Sequence, residues 1–237
     1  MYTYQKNIDL IKLLYNSELA NELCGNSENN FKVLRPIIDS FYKDPDVYDR
    51  ELFINNDRFN NIKVGLDGLC GWKILFDIYD GNIKWLEDYE AIRGSQLGYL
   101  IWPNSTEGRK NQTINQLRYK VFGDRIDFTL FDIDLFLKEK ECRLAEAYVG
   151  NTKDFLKGFG CIENLTKEMN LEVFLDENGH VKNLDGKTKT ITREQHNNFL
   201  FSSKWSAFKK KEVLSTYIKN IVIICKDKKL TNPNLSD

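Results

Sequence analysis

The chain has little of what usually announces a site. Only His180 and His196 supply imidazole in 237 residues, and neither stands in an HExxH or other metal-ligand spacing. Zinc hydrolysis through histidine ligands and a Ser-His-Asp triad therefore lose most of their support. Five cysteines (Cys24, Cys70, Cys142, Cys161 and Cys225) are scattered, with the nearest pair 19 residues apart. Without a CxxC pair, zinc ribbons and thioredoxin-like redox sites are excluded, and free buried thiols without disulfides in a reducing compartment are expected. Four prolines and 14 glycines are too few for a collagen-like, linker-like or broadly disordered chain.

Several motifs are absent or broken. There is no GxxxxGK[ST] phosphate loop and no GxSxG elbow. The pair Gly158 and Gly160 is followed by Glu163 where a dinucleotide fingerprint needs a small residue, so a helix end fits better. Asp176 to His180 has the look of a calcium loop, but Lys187 occupies the place of the bidentate glutamate. These readings give no metal site and leave the cofactor unknown. The apolar run Ile221 to Cys225 is far short of the roughly 20 residues that span a bilayer. The first residues, MYTYQKNIDLIKLL, lack the basic start and cleavage site of a secretory leader. A cytoplasmic protein without a membrane partner is the expectation; oligomeric state stays unknown.

What is present is a packed composition with uneven charge. Apolar residues make up 41%, aromatic residues 13%, and 34 basic side chains nearly balance 35 acidic ones. A chain of this length buries roughly 70–75% of its unfolded surface. Residues 1–180 carry 22 basic and 30 acidic side chains (−8), whereas residues 181–237 carry 12 and 5 (+7). Lys209, Lys210 and Lys211 head this basic segment and could neutralise phosphates on a nucleic acid, with Trp205, Phe208 and Tyr217 as stacking partners. The plainer alternative is a solvated helix face.

Periodicity predicts helices over Tyr4–Cys24 and Phe31–Tyr42, and a hairpin turn at Asp80-Gly81. A buried strand is predicted at Leu97–Pro103, a neighbouring strand at TINQLRY, and a largely buried central helix from Asp124, acting as N-cap, to about Glu141. Further helices are predicted over Arg143–Leu156 and Ile162–Met169, with a strand in LEVFLDENGHV. Thr192 and Gln195 have the spacing of a capping box, ahead of a helix striped by Leu214, Ile218, Ile221 and Cys225. The fold expected is a single α+β domain over 1–237, with a mixed or antiparallel sheet flanked by helices and a long central helix after the TINQLR strand. Within it, 1–60 is a helical N-terminal segment, 61–180 the sheet and central-helix core, and 181–237 the basic helical C-terminal segment.

The candidate site lies where polar residues interrupt this apolar core. Asn115, Gln116, Arg118, Asp124, Arg125, Asp127 and Thr129 fall within fifteen positions, close after Trp102. A carboxylate such as Asp127 on a buried helix must be paired or must titrate upward. One reading is an internal salt bridge of Arg118 or Arg125 with Asp127 or Asp124. The other is a pocket in which Arg118, Arg125, Asn115, Gln116, Thr129 and Trp102 hold a nucleotide or RNA while Asp127 and Asp124 do acid/base work, as in a hydrolase.

The segments IRGSQLGYLIWP, TINQLR and DRIDFTL, with KDPDVYD upstream, resemble the signature of a bacterial family carried as a domain of unknown function, of pattern [FW]P…TINxxR…DRxDxTL. The resemblance covers residues 43–175 and rests on Asp44, Pro45, Asp46, Tyr48, Trp102, Pro103, Thr113, Ile114, Asn115, Arg118, Asp124, Arg125, Asp127, Thr129 and Leu130. Tyr119 stands where that pattern has glycine, and Phe131-Asp132-Ile133 replaces an ECI-like segment. The resemblance implies where a site lies but no activity. Three functions stay open: an enzyme acting on a nucleotide or RNA, a non-catalytic nucleic-acid-binding module using the basic segment, and an interaction protein that sequesters a partner.

Overall fold

The computed structural model describes residues 51–53, 63–68, 99–103 and 114–231. The predicted helices over Tyr4–Cys24 and Phe31–Tyr42, and the turn at Asp80-Gly81, lie outside the described residues. Three short strands, Glu51–Phe53 (β1), Lys63–Gly68 (β2) and Tyr99–Pro103 (β3), pair antiparallel in the order β1-β2-β3. Six helices follow: Ile114–Phe122 (α1), Ile126–Leu137 (α2), Gly150–Phe159 (α3), Ile162–Glu168 (α4), Arg193–Asn198 (α5) and Ala207–Thr231 (α6).

The expected α+β domain built on a mixed or antiparallel sheet flanked by helices is corrected by this architecture. Among the described residues strand is confined to these three short segments, and the core is built mainly from the helices. The decisive difference is the TINQLRY segment, whose residues from Ile114 onward belong to α1 and not to a second core strand. Ile114, Leu117, Arg118 and Phe122 share its buried side, a spacing of three and four. Because Arg118 belongs to that side, the sequence pattern imitates the alternation of a half-buried strand. The predicted strand in LEVFLDENGHV is likewise a 3₁₀ turn at Glu172–Phe174 followed by an isolated bridge from Leu175 to Val181.

Helix α2 is the central element. Ile126 to Leu130, Ile133 and Leu135 are buried, with Asp127, Thr129 and Asp132 buried beside them. Such a helix is stable only if each of those polar groups finds a partner. The chain enters it through two successive left-handed residues, Gly123 and Asp124, both at φ +61°. A Cβ on Gly123 would come within 2.7–2.8 Å of the Phe201 ring, so glycine is needed there for both conformation and space. Asp124 does not act as the N-cap: Arg125 holds that position, without a side-chain capping bond. The helix start is completed from afar, the Ile126 N–H donating to Tyr217 Oη of α6 at 2.7 Å.

The capping box does form, with Thr192 and Gln195 bonding reciprocally at the start of α5. Helix α6 buries Leu214, Tyr217, Ile218, Ile221, Val222 and Cys225 on one side. Strand β3 packs on α3, where Thr152 Oγ1 donates to Pro103 O at 2.6 Å.

Candidate functional site

The polar residues between β3 and α2 converge, and they do so as a chain of hydrogen bonds. Trp102 of β3 is buried and donates through Nε1 to Asn115 Oδ1 at 3.2 Å. The Arg118 guanidinium lies over the Trp102 ring, 5.4 Å from its centre, an arrangement that favours a cation on the π face. Arg118 Nε donates to Thr129 Oγ1 at 3.0 Å and Nη2 to the Asp124 carbonyl at 2.9 Å. Thr129 passes its own proton to the Arg125 carbonyl at 2.8 Å. Helix α1, the left-handed turn and the first turn of α2 are thereby stitched through buried side chains.

Arg125 and Asp127 form the centre. Nε and Nη2 of Arg125 donate to Oδ1 and Oδ2 of Asp127, a two-pronged pair, and both residues are buried. Each carboxylate oxygen takes a second N–H: Phe128 donates to Oδ1 and Leu184 to Oδ2, both at 2.9 Å. The remaining faces of the guanidinium meet Asn183 Oδ1 at 3.4 Å, Asp185 Oδ2 at 3.5 Å, and the rings of Phe128, Phe199 and Tyr217 at 4.3, 5.3 and 5.2 Å. Burial pulls the Arg125 pKa down, but the charge and hydrogen bonds of Asp127 outweigh it and leave it above the ordinary arginine value.

Of the residues singled out from the sequence, Trp102, Asn115, Arg118, Asp124, Arg125, Asp127 and Thr129 are thus gathered in one network. Gln116 is exposed on α1, and Lys209 to Lys211 belong to the first turns of α6. Asp124 is buried, and its backbone carbonyl is held by Arg118. For Asp127 to act on a substrate, an incoming atom would have to displace one of the four donors that hold its oxygens. That geometry suits a pin between α2 and the loop at Asn183–Asp185 better than an acid or base.

Another buried carboxylate, Asp132, not among the site residues singled out from the sequence, sits five residues further along α2. Asp132 accepts from Arg143 N at 2.6 Å, Leu144 N at 3.0 Å and Tyr148 Oη at 2.9 Å. His196 of α5 brings Nε2 to 2.8 Å from Asp132 Oδ1, yet the approach is oblique and Nε2 lacks a well-aligned hydrogen bond. Its ring is surrounded by Phe122, Phe128 and Phe131 at 5.3, 6.3 and 5.2 Å. Arg143 Nη1 donates to the carbonyls of His196 and Phe199, closing the far side of α5. Burial lowers the Arg143 pKa, against the pull of Asp132. The available signal was the one that drew attention to Asp127: a carboxylate in the middle of IDFTLFDIDLFL.

Burial and the neighbouring Asp132 charge raise the Tyr148 pKa well above its ordinary 10.0. The same causes push the Cys142 thiol up to about 11, so it is a poor nucleophile near neutrality. The sign for stability follows from linkage. The Tyr148 contribution is complete below about pH 10, where folded and unfolded chains are both protonated, and is lost as pH rises through the folded value. Tyr148→Phe is expected to cost about 1 kcal/mol at neutral pH. Urea midpoints between about pH 8 and about pH 11 should show the gap between wild type and variant narrowing at the alkaline end; a constant gap contradicts the assignment.

A model for a family of unknown function, DUF6994, matches residues 74–227. The chain belongs to this family. The match starts after the KDPDVYD segment and reaches into the basic C-terminal segment, a span different from the 43–175 over which the resemblance is drawn. No curated protein and no solved structure matches the chain. Among the described residues no cluster of three or more candidate metal ligands occurs, and no helix is long and apolar enough to cross a membrane. Among the described residues Cys142, Cys161 and Cys225 form no disulfide.

Proposed function

We propose that this member of the family is a non-catalytic binding module that contacts nucleic acid through the basic, aromatic segment leading into α6. The observation that carries this reading is the surface of residues 199–211, FLFSSKWSAFKKK, which holds four lysines and no acidic residue. Two of its apolar side chains are open, Phe208 at 78% and Leu200 at 68% exposure, while Phe201 is buried. Apolar and positively charged groups side by side on a surface suit a ligand that combines phosphate with flat bases. Tyr217 takes no part, because it is buried beneath α2 with its hydroxyl engaged by Ile126. The enzyme reading has less support, since Asp127 and Arg125 answer each other inside the core. Free thiols fit a reducing, cytoplasmic setting.

The test is electrostatic. Fluorescence anisotropy with a labelled oligonucleotide should show binding that weakens with salt, each lysine–phosphate contact adding about 0.7 to the log–log slope for a single strand. The double variant Lys209→Glu/Lys210→Glu should lose at least about tenfold in affinity at low salt. No measurable binding at about 50 mM salt, or binding indifferent to salt, overturns the reading.

A further inference from the structure

Resting on that reading, we infer that the ligand is single-stranded, with unpaired bases stacking on an aromatic platform, and that Glu212 restrains the surface by competing for Lys209. The platform is anchored from below. Phe201, buried, meets the ring of Tyr119 edge-on at 5.9 Å and that of Trp205 edge-on at 5.6 Å. Tyr119, on α1, is 38% exposed, and Trp205 is half-buried against the core. Phe208 follows Trp205 by three residues in the first turn of α6 and is the most open of the exposed large apolar side chains. Edge-to-face contacts with Phe201 fix ring orientation, so Tyr119 and Trp205 are held before a ligand arrives and little ordering entropy remains to be lost. A duplex keeps its base faces stacked inside and can offer such a platform only its backbone; an unpaired strand can lay bases on it.

The charge pattern agrees. Lys204, Lys209, Lys210 and Lys211 flank the aromatic residues, a sign complementary to phosphate and to no cationic or neutral partner. Lys209 Nζ is bound to Glu212 at 2.9 Å, with both side chains at least half exposed. An approaching phosphate must take Lys209 from that carboxylate and come near a like charge. Removing the Glu212 charge should therefore help binding, whereas a merely solubilising ion pair would leave it unaffected.

The experiment compares three labelled probes of one sequence, single-stranded RNA, single-stranded DNA and the DNA duplex, by anisotropy on the full chain. The wild type should prefer at least one single-stranded probe to the duplex, and the RNA and DNA arms separate the source of the strand. Phe208→Ala should weaken single-strand binding about 5- to 100-fold and change duplex binding less than about twofold. Phe208→Tyr should restore single-strand binding, whereas Phe208→Leu should not, because shape and apolarity without a π face are insufficient. Glu212→Gln should strengthen binding about two- to tenfold at low salt, an advantage that fades as salt rises. Phe208 and Glu212 are exposed, and a matching urea midpoint confirms that each variant folds. If the lysine variant loses binding but Phe208→Ala does not, the phosphate reading stands and the stacking inference is overturned. If Phe208→Ala changes only the oligomeric state seen by sedimentation, the surface belongs to a second copy and the inference falls. If no probe binds, both fall together.

Discussion

Asp127→Ala is expected to destabilise the protein by about 3–5 kcal/mol, enough to consume much of the margin of an ordinary domain. The cost is more than a lost ion pair. Arg125 would be left charged among Phe128, Phe199 and Tyr217, and the N–H groups of Phe128 and Leu184 would lose their acceptor. Asp127→Asn should recover little of this, since an amide turns an NH₂ toward groups that themselves donate. The informative control removes both charges. Arg125→Met/Asp127→Leu should be considerably less harmful than the sum of the single changes, because the penalty of each single variant is mostly the stranded partner. Urea unfolding of the wild type, Arg125→Met, Asp127→Leu and the double variant gives the coupling energy directly. Additive losses would mean that the two side chains act separately and that the pin is misread.

Asp132→Ala should be comparably severe, at about 3 kcal/mol or more. Here the loss falls on a loop. The N–H groups of Arg143 and Leu144 and the hydroxyl of Tyr148 all point at one carboxylate, and His196 stands against it inside an aromatic enclosure. Hydrogen exchange should show residues 141–148 and α5 losing protection first, ahead of α3 and α4. Uniform loss across all helices would instead indicate that Asp132 supports the whole core and not this corner.

These pins explain which parts of the architecture were legible in the amino-acid order. Helix α2, the stripe of α6 and the capping box at Thr192 were readable because each is written in local periodicity or spacing. Helix α1 was misread for a physical reason: Arg118 occupies a buried position that an apolar residue would normally mark, and its compensation comes from Trp102, Thr129 and the Asp124 carbonyl. The grouping of Trp102, Asn115, Arg118, Asp124, Arg125, Asp127 and Thr129 was also legible, including the option that Arg125 and Asp127 pair internally. The donors that complete Asp127 were not, because Leu184 is 57 positions away. The role of Asp132 was not legible although it sits in the same apolar helix, since its partners Arg143, Leu144, Tyr148 and His196 arrive from loops and from α5.

The hydroxyl of Tyr217 reaches back 91 positions to the first amide of α2. A chain emerging from the ribosome would therefore expose an incompletely clothed Arg125 until nearly the whole of the matched family region had been made. Until then the central helix would lack its terminal proton acceptor and one of the three rings around its arginine, leaving a nascent intermediate exposed to aggregation. Any shortened form ending before Tyr217 would inherit the same defect permanently.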